Sequence, residues 1–72
     1  MKRSELLRRI GGAAKRRKLA WKLRRQGAQH EIWELDGMTV PIPRHREISE
    51  RLARAIMADL AGKLGENWWR LS

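Results

Sequence analysis

Seventy-two residues with a net charge of +9 allow one small domain, whose thin core buries only about 60% of the unfolded surface. The absence of cysteine excludes disulfides and thiolate metal ligands; no apolar run approaches the ~20 residues of a bilayer span or follows Met1-Lys2-Arg3-Ser4 as in a signal peptide. Residues 1–25 carry eleven Lys/Arg against Glu5 alone, whereas residues 26–72 hold six bases and seven acids, an asymmetry that suits nucleic acid, an acidic protein or an anionic membrane.

Ser4 as N-cap and Glu5 in the first turn predict a helix over about 4–17, with Leu6, Leu7, Ile10 and Ala14 at helical spacing. Gly11-Gly12 weakens it by up to ~1 kcal/mol per glycine relative to alanine, or lets it pack closely against a neighbour. Lys15-Arg16-Arg17-Lys18 places cations at its negative pole, as a solvated helix end or a nucleic-acid patch. Leu19, Trp21 and Leu23 then alternate with polar residues and predict a strand over about 19–25. Gln26 to Gln29 is a turn, and strands follow over about 30–35 and 38–42 around the hairpin signal Asp36-Gly37. Ile48, Leu52, Ile56, Leu60 and Leu64 stand four apart and predict a helix over about 48–64, with Gly65 as its C-cap. The tail, 65–72, carries Trp68-Trp69, which is too apolar to hang free. It either folds back onto the domain or meets a partner.

Turn chemistry sets the expected register. An Asp36-Gly37 loop pairs Leu35 with Met38, Trp33 with Val40 and Glu31 with Ile42. A five-residue loop over 25–29 pairs His30 with Arg24, Ile32 with Lys22 and Trp33 with Trp21. One face of the sheet then holds Trp21, Leu23, Trp33, Leu35, Met38, Val40 and Ile42, for two amphipathic helices to cover. The other gathers Lys22, Arg24, His30, Ile32, Glu34, Thr39 and Pro41. The predicted class is α+β: α-β-β-β-α, a three-stranded antiparallel sheet with two helices on one face.

The chemistry-bearing stretches are Gly27-Ala28-Gln29-His30 and Pro43-Arg44-His45-Arg46. RNA can be cut without a metal when its 2′-OH attacks the adjacent phosphorus. That reaction needs a base, an acid, and positive charge for the phosphorane. His30 is the candidate proton carrier, since histidine titrates near neutral pH. His45 is a second proton carrier, a loop-ordering residue or a backbone contact. Lys22, Arg24, Arg25, Arg44, His45 and Arg46 are the candidate RNA or phosphate contacts. Trp21 and Trp33 read as core rather than as base-stacking platforms. With two histidines 15 residues apart and scattered acids, no metal or other cofactor is expected.

The element order, the Gly-x-x-His turn before the second strand, the later Pro-Arg-His-Arg-Glu-Ile, the opening Met1-Lys2-Arg3-Ser4-Glu5-Leu6 and the helical Leu52-Ala53-Arg54-Ala55-Ile56 together resemble the HicA family of toxins over roughly residues 1–64. The resemblance implies a fold like a double-stranded-RNA-binding domain. It also implies an endoribonuclease that cleaves mRNA in the cytoplasm, monomeric when free and neutralised in a hetero-oligomer by a HicB-like antitoxin. His30 matches the family's catalytic histidine by position, and Ala28 stands where the family commonly has serine. The alternatives are a non-catalytic RNA-binding module of the same fold and a protein-interaction domain for an acidic partner. Membrane-surface binding by 4–18 is disfavoured by that helix's narrow apolar stripe.

Overall fold

The first helix, α1 (Arg3–Arg16), starts from Lys2 rather than from Ser4 in the computed structural model, which describes residues 1–71. Lys2 has no side-chain acceptor to offer, so the cap is tertiary: the Arg3 N–H donates to the Arg46 carbonyl at 2.9 Å. A local cap such as Ser4 is redundant when a distant segment satisfies the first amide. At the other end Lys18 takes a left-handed φ of 58°. The Leu19 N–H then reaches Ala14 O at 2.9 Å and the Lys18 N–H reaches Lys15 O at 3.1 Å. This is a Schellman closure with lysine where glycine is usual, and it delays the next strand to Trp21.

Gly11 lies against Trp21, where an added Cβ would sit 3.5 Å from the indole Cδ1. At Gly12 a Cβ would meet only the guanidinium tip of Arg16, at 3.7 Å. Gly12→Ala is therefore expected to stabilise the protein by up to ~1 kcal/mol, the helix-propensity difference. A rise in urea midpoint at unchanged m-value checks it.

Strands β1 (Trp21–Gln26), β2 (His30–Leu35) and β3 (Met38–Pro43) form an antiparallel sheet in the order β1-β2-β3. The β2–β3 register is the one that Asp36-Gly37 dictates, with Leu35 opposite Met38 and Glu31 opposite Ile42. Both turn residues have positive φ, 49° and 85°, as a two-residue type I′ hairpin requires.

The β1–β2 register departs from the expected one. Trp21 faces Leu35, Lys22 faces Glu34 and Leu23 faces Trp33; after a bulge at Arg24, Arg25 faces Ile32. The cause is a tighter turn than a five-residue loop. The Gly27 N–H donates to His30 O at 2.8 Å, and a Cβ on Gly27 would lie only 2.8 Å from that oxygen. Glycine permits this approach, and the bulge absorbs the odd residue. Trp21 and Trp33 still share the covered face as diagonal neighbours, stacked at 4.6 Å with 15° between their planes.

A single apolar cluster lies between the sheet and the helices. It joins Leu6, Ile10, Ala13 and Ala14 of α1 to Leu35, Val40 and Ile42 of the sheet and to Ala53, Ile56 and Met57 of α2 (Glu50–Asp59). Both helices thus cover one face of the sheet. The Ser49 hydroxyl caps α2 by accepting from the Leu52 N–H at 3.2 Å. The helix predicted over 48–64 is broken at Leu60, where the backbone tightens before a short α3 (Ala61–Leu64) ending at Gly65 with φ 98°. The tail folds back as a 3₁₀ turn from Trp68, whose indole N–H donates to the Met57 carbonyl at 2.9 Å. No helix among the described residues is long and apolar enough to cross a membrane.

Candidate nucleic-acid interface

His30 opens β2 and is exposed, its backbone held by the Gly27 turn. Opposite it stands Pro43, the last residue of β3. The chain continuing from Pro43 closes over the turn. The Arg44 N–H donates to Gln29 O at 3.1 Å, and the Arg44 guanidinium donates to Gly27 O at 2.9 Å. His45 follows at once. Ala28, Gln29, His30, Arg44 and His45 together line an open cleft of about 450 Å³. The two histidines, 15 residues apart in sequence, thus share one wall. Their convergence was latent in the β2–β3 register, which sets His30 across from a residue two before His45. Neither imidazole has a hydrogen-bond partner among the described residues.

The candidate phosphate contacts separate into groups. Arg24 is not beside His30, as the expected register had it. It occupies the bulge and donates to Glu34 Oε2 at 2.9 Å. Lys22 Nζ stands 3.6 Å from the other oxygen of the same carboxylate. Arg25, exposed, lines a shallow hollow with Arg24, Ile32, Glu34 and Thr39. Arg44 and His45 lie with His30. Arg46 lines a neighbouring cleft of about 350 Å³ with Lys2, Arg3, Ser4 and Arg44. Among the described residues no three His, Cys, Asp or Glu side chains gather as metal ligands would.

A support behind the histidine cleft was not foreseen. Glu31 follows His30 but points to the covered face, where its side chain is only 13% exposed. A carboxylate in such surroundings needs partners. Arg3 pairs with it, and the Trp33 indole N–H donates to it at 3.0 Å. Arg3 also donates from Nε to Pro43 O at 2.8 Å. One guanidinium therefore ties the start of β2 to the end of β3, the two strand ends that carry His30 and Arg44-His45. In sequence Arg3 is one of eleven Lys/Arg among residues 1–25, and nothing local distinguishes it.

Residues 13–61 match the family model described as HicA toxin of bacterial toxin-antitoxin. The chain belongs to the HicA toxin family. Searches of curated proteins and of solved structures give no significant match. The HicA match spans all three strands and the whole of α2 and ends at the first residue of α3, so the Gly27 turn and both histidines lie inside it. Lys2, Arg3 and Trp68 lie outside it. The Arg3 tie and the Trp68 lock thus come from residues flanking the matched HicA segment.

Proposed function

We propose that this toxin is an endoribonuclease that cuts mRNA, blocks translation in the cytoplasm, and is neutralised by a HicB-like antitoxin covering the histidine cleft. The observation that supports this reading is the shared cleft of His30, His45 and Arg44. Two imidazoles and a guanidinium supply the base, the acid and the positive charge that phosphodiester transesterification needs. His30 takes the proton from the 2′-OH as its oxygen attacks phosphorus. Arg44 faces the charge that builds on the non-bridging oxygens. The bond to the 5′-oxygen breaks, and His45 gives that oxygen its proton. The products are a 2′,3′-cyclic phosphate and a 5′-hydroxyl. No step uses a cofactor.

The test is the chemistry of the cut ends. Purified protein incubated with RNA in excess chelator is expected to leave cyclic phosphate on one side and hydroxyl on the other. Fragments with 5′-phosphate ends, or cleavage that chelation abolishes, would overturn the mechanism. RNA binding without any cleavage would leave a non-catalytic RNA-binding module.

A further inference from the structure

We propose that the cleft of Lys2, Arg3, Ser4, Arg44 and Arg46 is a second phosphate subsite, which holds the phosphate next to the scissile one on a single RNA strand. The proposal rests on the ribonuclease reading of the histidine cleft and says where the rest of the strand runs. It directs the RNA across the end of the sheet rather than over its open face.

Continuity is the first argument. Arg44 lines both clefts, so they are adjacent stations along one wall. A strand whose phosphate sits between His30 and His45 meets the Lys2–Arg46 cleft next on that side. Phosphates recur along a strand at every nucleotide, so a neighbouring basic cleft is where the next one finds charge.

Charge supplies the second. Four of the five lining residues are cationic and none is acidic. Arg3 is committed to Glu31, and Arg44 to the Gly27 carbonyl, an uncharged partner that leaves its charge uncompensated. Lys2 and Arg46 are exposed and have no ion-pair partner among the described residues. Their backbones are nonetheless fixed. The Arg3 N–H donates to Arg46 O at 2.9 Å, and Lys2 bridges to Glu47. The structure thus holds two uncommitted cations on a rigid ledge beside the histidines.

The open sheet face makes the contrast. There Glu34 engages both Lys22 and Arg24, so a phosphate would have to displace or approach a carboxylate. Of the expected contacts Lys22, Arg24, Arg25, Arg44, His45 and Arg46, the subsite therefore takes Arg44 and Arg46, and it adds Lys2.

The experiment measures binding of a short single-stranded RNA at several salt concentrations, in a His30→Ala background so that the probe survives. Lys2→Gln/Arg46→Gln is compared with Lys22→Gln/Arg24→Gln. The first pair is expected to weaken binding about tenfold or more and to flatten the log–log salt slope by about 0.7, the value for one single-strand phosphate contact. The second pair is expected to change affinity less than about threefold. All four side chains are exposed, so an unchanged melting temperature keeps folding out of the comparison. An unchanged slope and affinity in Lys2→Gln/Arg46→Gln, with the loss in the sheet-face pair instead, overturns the subsite and leaves the histidine mechanism standing. Failure of the parent His30→Ala protein to bind RNA at low salt overturns both.

Discussion

His30→Ala is expected to lower RNA cleavage by about 10²–10⁴-fold, the usual contribution of a positioned acid or base, and to abolish growth arrest when the protein is induced. Stability should stay within about 0.5 kcal/mol, because the side chain is exposed and makes no hydrogen bond among the described residues. Cleavage by purified protein, mRNA integrity in cells and a melting curve check these outcomes together. Undiminished cleavage by His30→Ala would sink the assignment. His45 makes the reading sharper. As the acid for the leaving 5′-oxygen, its removal lowers kcat; as a mere phosphate contact, its removal raises KM and leaves kcat alone. The two histidines share one cleft, so their losses should also be non-additive, with His30→Ala/His45→Ala little worse than the poorer single variant.

The parts of this site that were legible in sequence are those encoded by local chemistry. Asp36-Gly37 demands a two-residue hairpin, and that demand alone sets the β2–β3 register and places His30 opposite Pro43. Periodicity assigned the covered face, since a one-residue slip between β2 and β3 would put Leu35 on the face opposite Val40 and Ile42, and all three are buried. The β1–β2 register was not legible, because it turns on a close approach at Gly27 and a bulge at Arg24, neither of which leaves a periodic trace. Ser4 read as a cap only because capping rules are local; the helix instead starts at Arg3, whose N–H donates to the Arg46 carbonyl 43 positions away, and the Leu6 N–H that a Ser4 cap could have served donates to Lys2 O. The link from Arg3 to Glu31 and Pro43 is likewise long-range, and in sequence nothing sets Arg3 apart from the ten other bases of residues 1–25. These misses matter for function. The first moved Arg24 away from His30, and the second and third joined the start of α1 to the histidine cleft.

Trp68→Ala is expected to cost about 3–5 kcal/mol, the range for truncating a buried aromatic residue. Trp68 is 2% exposed and lies among the largest fully buried side chains, although it falls outside the segment matched to the family. Its ring meets Trp69 edge-to-face at 5.9 Å, and its N–H satisfies Met57 O near the end of α2, where the helical ladder leaves carbonyls without partners. At about 0.05–0.15 kcal/mol per residue, 72 residues give a stability of about 4–11 kcal/mol, so this one truncation approaches the lower end of the total. Trp68→Phe separates packing from hydrogen bonding. It keeps most of the ring volume and, among the described residues, leaves Met57 O with the longer 3.2 Å bond from the Leu60 N–H. The expected loss for that variant is about 1–2 kcal/mol. Urea melts of the two variants check the order. Trp68→Ala should also silence the toxin in cells by depleting the folded state, since ~3–5 kcal/mol is a large part of a small domain's margin. Trp68 lines neither the histidine cleft nor the Lys2–Arg46 cleft. Under cool, stabilising conditions the fraction of Trp68→Ala that remains folded should therefore cleave RNA at the native rate, while His30→Ala, fully folded, should not.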